Sequence, residues 1–444
     1  MQAVSQSPWA PLSQKPFAVL WWATVISNMG TWMHDVGAGW LMTTMNPAPN
    51  YVAAVQAATT LPVVLFALPA GAIADILDRR HILIAVNLCM ALMAASFATI
   101  LGLGYVTPAL LLIFTFLLGT GAAFLAPTWQ AIIPSLVPKH QLPAAIALNS
   151  VGINVSRATG PAIAGFLIVS ISLLAPFIVN ALSFVAIVAA LLWWKPPALP
   201  ARHLPQEHFF SAISGGLRYA KNSKPLQATL LRSGAFFTFA SALWALLPLI
   251  ARDLLGGDAR LYGILLATIG VGAVLAALVL PAIKARLEPN GFVAAGSLGI
   301  ATSLAILSHT HNTVVAIGAV ALAGMCWTGV LTSLYVSAHV ALPEWVRARG
   351  LSVYMIVFFG SMSLGSVLWG QVATVTSLES SLLIAALGMA AFLVLTWGAK
   401  LNQGETLDLS PSMHWPVSRP YDELLHGNVP VMIQITYKIS EADR

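Results

Sequence analysis

Twelve long apolar runs, each about the length of one bilayer crossing, leave this chain little choice of fold class. They lie near 17–43, 52–73, 81–104, 108–132, 144–169, 172–194, 227–251, 260–282, 291–308, 312–337, 350–375 and 379–398. Short stretches rich in Gly, Pro, Asn and charged residues separate them. A spanning helix needs roughly 20 mostly apolar residues, and helices satisfy their own backbone groups in lipid. Only 8% of the residues are charged, against about a quarter in soluble domains, so a soluble core is excluded. The alternating ten-residue pattern of a membrane barrel does not occur. The expected fold is all-α and integral to a membrane, with twelve transmembrane helices.

No cleavable signal peptide is expected, since residues 1–16 are polar and the first apolar run is too long for a signal h-region. The two cysteines, Cys89 and Cys326, sit inside apolar runs, so neither a disulfide framework nor a cysteine metal site is expected.

The positive charges choose the orientation. Alternate connections carry Arg79, Arg80, Lys139, Lys195, Arg202, Arg218, Lys221, Lys224, Lys284, Arg286, Arg347 and Arg349, whereas the opposite connections carry only Arg252 and Arg260. Basic loops stay on the cytoplasmic side, which puts both termini there. The net charge of +6 is then an orientation signal and gives no reason to expect a nucleic-acid partner.

The Pro-rich segment 195–226 divides the chain into six-helix bundles at 1–194 and 227–398. The halves echo one another: Pro138, Gly160 and Gly165 recur 205 residues later as Pro343, Gly365 and Gly370. Helix boundaries match on either side, which reads as a duplication into two pseudo-repeats. Parallel repeats of this kind put a substrate site between the halves. The tail, 399–444, combines a polar linker with an alternating stretch, VPVMIQITYKI. It reads as a cytoplasmic tail or a truncated α/β domain.

Ionisable groups inside the spans carry the functional reading, because a charge at the bilayer centre costs about 2.5–3.5 kcal/mol on insertion scales. In the first helix Thr24, Asn28, Thr31 and Asp35 fall at i, i+4, i+7 and i+11, one polar face on an otherwise apolar helix. Asp35 could take a proton or a cationic group, since a carboxylate in a low-dielectric cavity protonates readily. Alternatively it lies about 27 Å along the helix and is solvated at the far surface. His34 points about 100° away. In the fifth helix Ser150, Asn154 and Arg157 share a face, adjoined by Asn149 and Ser156. Arg157 stays protonated, so it could bind an anionic substrate group, tune a carboxylate, or anchor the bundle. Arg232, two turns from Lys224, is expected to snorkel to the surface. Gly160, Pro161 and Gly165, with Gly365 and Gly370, read as packing and hinge positions. Trp32, Trp40, Trp129, Trp244, Trp327 and Tyr335 could line a pocket or act as interfacial anchors.

Between the second and third helices stands GAIADILDRRH, with Gly71, Asp75, Arg79 and Arg80 in Gly-x-x-x-Asp-x-x-x-Arg-Arg spacing. This loop, PTWQAIIPSLVP (127–138) and NSVGINVSRATGPAIAGFL (149–167) together resemble the major facilitator superfamily (MFS). The likeness is greatest to the subgroup of the enterobactin exporter and related efflux permeases. The resemblance covers 17–398 and extends into the tail. It implies that Gly71 allows close packing and that Asp75 sits at the start of helix 11 near Arg349 and Gly350. It also implies that Arg79 and Arg80 form a gating loop whose salt bridges break as the halves rock. The sequence departs from the usual pattern at Ile76 and Asp78, at the Gly152-to-Gly160 spacing, and in helix 4, where Thr115 stands near the place of a common arginine.

The expected function is secondary active export of a small amphipathic molecule, drug or siderophore-like, by alternating access with proton antiport. The alternatives are uptake, an uncoupled facilitator, or a non-transporting membrane sensor. The chain is not expected to be an enzyme, as His34, His309, His311 and His339 are scattered and no H-E-x-x-H occurs. No cofactor or metal is expected. Expected partners are the substrate, protons and the lipid bilayer, for a monomer in the inner membrane.

Overall fold

The computed structural model describes residues 7–195, 217–284, 286–343 and 346–401. Most of the 195–226 linker and nearly all of the tail, including its alternating stretch, lie outside the described residues. So does the side chain of Asp75.

Twelve helices of 18 to 31 residues make up the described chain. They are α1 (Lys15–Met45), α2 (Pro49–Ile76), α3 (Arg79–Gly102), α4 (Pro108–Leu136), α5 (Leu142–Ser170) and α6 (Ala175–Trp193), followed by α7 (Lys224–Leu249), α8 (Ala259–Lys284), α9 (Pro289–His309), α10 (Thr313–Val340), α11 (Arg347–Val375) and α12 (Leu378–Leu395). Eleven are long and apolar enough to cross a membrane. The remaining one is α1, whose interior carries Thr24, Ser27, Asn28, Thr31, His34 and Asp35.

Local chemistry sets the helix ends. Pro at the first turn, where its missing N–H costs nothing, opens α2, α4 and α9. Asn312 Oδ1 accepts from the N–H groups of Val314 and Val315 at 2.9 and 3.3 Å, and Ser377 Oγ accepts from Ser380 N–H at 3.1 Å. Each satisfies a donor that the first turn leaves open. Asp78, a departure from the family pattern, is explained in the same way. It caps α3, accepting from His81 N–H at 2.9 Å, and its carboxylate lies 3.0 Å from His81 Nδ1.

Within the first six helices α1 packs on α5 and α6, and α4 on α2 and α3. Within the second six, α7 packs on α11 and α10 on α8 and α9. The two sets meet along two seams, α2 on α11 and α5 on α8. Small residues permit both. A Cβ built on Gly370 would stand 2.5 Å from Ala53 Cβ and 3.1 Å from Asn50 Cα. One on Gly165 would stand 2.6 Å from the Ala259 carbonyl oxygen and 3.0 Å from Arg260 Cα. The repeat-matched glycines therefore press on matched places, the first turn of the second helix in the opposite set. Gly160 and Gly365 match too: Gly160 lies on α1 at Met29 and Trp32, Gly365 on α7 at Thr238 and Ser241.

The α2–α11 seam loosens toward the basic loops. Asn50 N–H donates to Thr374 Oγ1 at 3.1 Å, but a Cβ on Gly360 would find its nearest neighbour, Val64, at 4.0 Å. Among the described residues a Cβ on Gly71 would meet nothing within 4 Å. This conformation is shut at the end away from the basic loops. There Arg252 donates across to the Thr43 carbonyl, and Trp40 stacks on Tyr262 with centroids 6.4 Å apart.

Candidate functional site

The polar face of α1 keeps its predicted membership. Thr24, Asn28, Thr31 and Asp35 are all half-buried, whereas the flanking Val25, Met33, Val36 and Ala38 are buried. A stripe that is neither lipid-facing nor sealed into the bundle suits the wall of a cavity. Thr31 Oγ1 donates to the Ser27 carbonyl at 3.1 Å, along its own helix, and Thr24 Oγ1 has no hydrogen-bond partner among the described residues. His34 points away from the stripe, 3% exposed. Its ring meets Phe177 and Phe97 edge-on at 5.1 and 6.0 Å.

α5 supplies the second wall and is pinned to its neighbours by hydrogen bonds. Ser156 Oγ donates to the Val25 carbonyl at 3.0 Å, and Trp21 Nε1 donates to the Leu148 carbonyl at 3.0 Å. Trp129 Nε1 donates to Asn149 Oδ1 at 2.9 Å. The seats of Asn149 and Ser156 thus orient Arg157, the next residue. Asn154 donates to the Ser150 carbonyl at 2.9 Å and stays half-buried. The Arg157 guanidinium carbon lies 5.8 Å from the centre of the Trp32 ring, and its Nε–H is buried without an acceptor. Trp32 is three residues from Asp35 and four from Asn28, so it shares their face and sets Arg157 beside the stripe. Among the described residues Arg157 and Asp35 form no ion pair, and the Trp32 ring lies beside the guanidinium charge.

Tyr262 on α8 was not foreseen. Its hydroxyl would stand 2.9 Å from a Cβ on Gly39. Gly39 is one helical turn beyond Asp35, so the Asp35 end of the stripe abuts the closed end. The only advance signal was Gly39 itself, a small residue on the Asp35 face. Of the six aromatic candidates, Trp32 and Trp40 lie at this site. Trp244 and Trp327 join an aromatic cluster with Phe236, Phe237 and Phe358. Trp129 braces α4 on α5, and Tyr335 lies 6.0 Å from Tyr354.

The loop arginines bond to main chain. Arg80 forks onto the last carbonyls of α6, with Nε to Leu191 and Nη2 to Leu192, both at 2.9 Å. Arg79 reaches the Ala131 carbonyl on α4 at 3.0 Å. These bonds tie α3 to its own six-helix set. Arg232 departs from expectation. It does not snorkel but is 3% exposed, held by the Thr396 carbonyl, to which Nη2 donates at 3.1 Å.

A family profile described as "transmembrane secretion effector" matches residues 6–444. The Staphyloferrin A transporter of Staphylococcus aureus is 24% identical over 400 residues, covering 87% of this chain and 96% of the relative. The multidrug efflux pump Tap of Mycolicibacterium fortuitum is 23% identical, covering 84% of this chain and 93% of the pump. Among solved structures, a variant of the nucleoside transporter NupG superposes with a TM-score of 0.73 at 12% identity, over 87% of this chain and 99% of that one.

Proposed function

The chain belongs to the transmembrane secretion effector family of the major facilitator superfamily, a multi-pass membrane transporter and not an enzyme, and from that premise we propose that it exports a small amphipathic molecule bearing an anionic group, in exchange for protons. The observation that carries the reading is Arg157, a cation in an apolar bundle with a tryptophan face beside it and no carboxylate paired to it among the described residues. A buried charge without a partner is costly, so a site of this kind is completed by its cargo. A relative named as a multidrug efflux pump supports export, and one named as a staphyloferrin A transporter supports a small-molecule cargo.

In the proposed cycle the basic loops and both termini face the cytoplasm of the inner membrane, and the twelve helices act as two six-helix halves. The conformation closed at the far end receives cargo from the cytoplasmic side. Arg157 and Trp32 hold the anionic and planar parts, and Asn28, Thr31 and Asn154 offer hydrogen bonds. Asp35 carries the exchanged proton beside the closed end. It binds the proton when the site faces outward and releases it when the site faces inward, so cargo and proton move in opposite senses. Gly160, Pro161, Gly165, Gly365 and Gly370 serve as the packing points about which a monomer rocks. Gly71, Asp75, Arg79 and Arg80 form the loop that meets helix 11 when the cytoplasmic end shuts.

Cells expressing wild type, Asp35→Asn or Arg157→Ala at matched levels, challenged with a chemically diverse panel, test this. Wild type should lower accumulation of anionic amphipaths and lose that effect on adding a proton uncoupler, and both variants should accumulate like cells without the transporter. Equal accumulation in all strains sinks both site assignments, and export that survives the uncoupler sinks the proton coupling.

A further inference from the structure

A second built site lies away from the seams, within the second six helices. A shallow, open recess between α7, α9 and α12 is lined by Arg232, Phe239, Val293, Ser297, Phe392 and Leu393, among others. Arg232 Nε and Nη2 donate to the Thr396 carbonyl at 3.3 and 3.1 Å, and Nη2 also reaches the Trp397 carbonyl at 3.4 Å. Those carbonyls stand just past the C-terminus of α12, where a cation is favoured. The Nη1 group of this residue, 3% exposed, has no acceptor among the described residues. Arginine is almost never buried unless paired, and a buried donor to which nothing bonds costs about 1–3 kcal/mol or more. The neighbouring Ser297 hydroxyl is engaged along its own helix, donating to the Val293 carbonyl at 2.8 Å.

Depth identifies the missing acceptor. The guanidinium is fixed to Thr396 and Trp397, and Trp397 is 57% exposed, two residues after Leu395, which with Val394 is among the most exposed apolar residues, at 79% and 74%. A tryptophan at the end of such a run marks the head-group level. This is also the end that carries Lys221, Lys224, Lys284 and Arg286. Lys284 Nζ lies 5.4 Å from the centre of the Phe292 ring, one residue before Val293. Positive potential at that level collects anionic lipid. The rest of the lining, Phe239, Phe392 and Leu393, is apolar and half-buried, suited to the first methylenes of an acyl chain.

We propose that this recess binds the phosphate of an acidic phospholipid, with Arg232 Nη1 donating to a head-group oxygen and the acyl chain lying along α12. The lipid would brace α12 against α7 and α9. The site is separate from Arg157 and Asp35, so it stands whatever the cargo.

Nanodiscs of phosphatidylcholine, with and without phosphatidylglycerol, provide the test by native mass spectrometry of lipid retained by the full chain. Wild type should retain phosphatidylglycerol over phosphatidylcholine, and Arg232→Gln should reduce that preference about tenfold, as losing one charge-assisted hydrogen bond would. Lys139→Gln, an exposed lysine of the other six-helix set, should retain it. Loss of preference in Lys139→Gln as well, or none in Arg232→Gln, overturns the proposal. Melting of the wild-type protein supplies a readout that needs no variant: phosphatidylglycerol should raise the midpoint, and inorganic phosphate should not. An equal rise with inorganic phosphate would make the ligand a free anion and overturn the lipid assignment, as would no rise with either.

Discussion

Gly165→Ala offers a direct reading of how the molecule changes state. The added methyl would stand 2.6 Å from the Ala259 carbonyl oxygen and 3.0 Å from Arg260 Cα, where ordinary contact begins at 3.4 Å. The obstacle is backbone, so α5 and α8 must part by about 0.8 Å, and overpacking of this kind costs about 1–3 kcal/mol. Alanine also stabilises a helix over glycine by roughly 1 kcal/mol, but it does so in every conformation and cancels between states. The clash exists only where this seam is shut. The equilibrium should therefore move away from the closed far end by about 5- to 150-fold. Spin labels on cysteines at Asn50 and Thr374, whose backbone and side chain now touch, would follow it by pulsed electron resonance, with Cys89 and Cys326 replaced. In proposing that the two seams open together, we expect the short-distance population to fall sharply in Gly165→Ala and, by repeat symmetry, in Gly370→Ala with labels moved to α5 and α8. An unchanged distance distribution in a folded variant would refute the reasoning, because the seam would then have absorbed a methyl group without opening.

Arg252→Gln removes the hydrogen bond from the helical turn that follows α7 to the Thr43 carbonyl of α1 and should shift the same spin-label distances in the same direction. The expected size is about 1.5–3 kcal/mol, the range for a bond to a charged donor. Arg80→Lys retains the charge but loses the two-pronged grip on Leu191 and Leu192. The melting temperature in detergent should fall, consistent with a loss of about 1–2 kcal/mol, without change in membrane orientation. Trp32→Leu strips the ring from Arg157, an interaction of about 0.5–2 kcal/mol. KM for an exported anion should rise up to about 30-fold in vesicles, with Vmax altered less.

The helix boundaries could be read from the chain because Pro, Asn and Ser mark them locally, and observed ends fall within a few residues of the expected ones. The polar face of α1 was legible for a related reason. On an apolar helix four polar residues at i, i+4, i+7 and i+11 stand out against their surroundings. Arg232 and Tyr262 were not legible. Lipid and protein interior are equally apolar, so a helix such as α7 or α8 carries no amphipathic record of which side faces what. The burial of Arg232 depends on where α12 ends, and the nearness of Tyr262 to Gly39 depends on the rotation of α8. Neither is a property of the segment holding the residue. The glycines at 160, 165, 365 and 370 were visible as a repeated pattern, but their partners emerged only with the assembled seams.

The close contacts at Gly165 are made to backbone atoms of Ala259 and Arg260, and those at Gly370 include the backbone of Pro49 and Asn50. Main-chain atoms are the same whatever side chains surround them. A lineage can therefore exchange nearly every residue that touches cargo while the closure persists, provided small residues remain at a few places. In such a design selectivity and motion are inherited separately, and a new export specificity does not require the rocking machinery to be invented again.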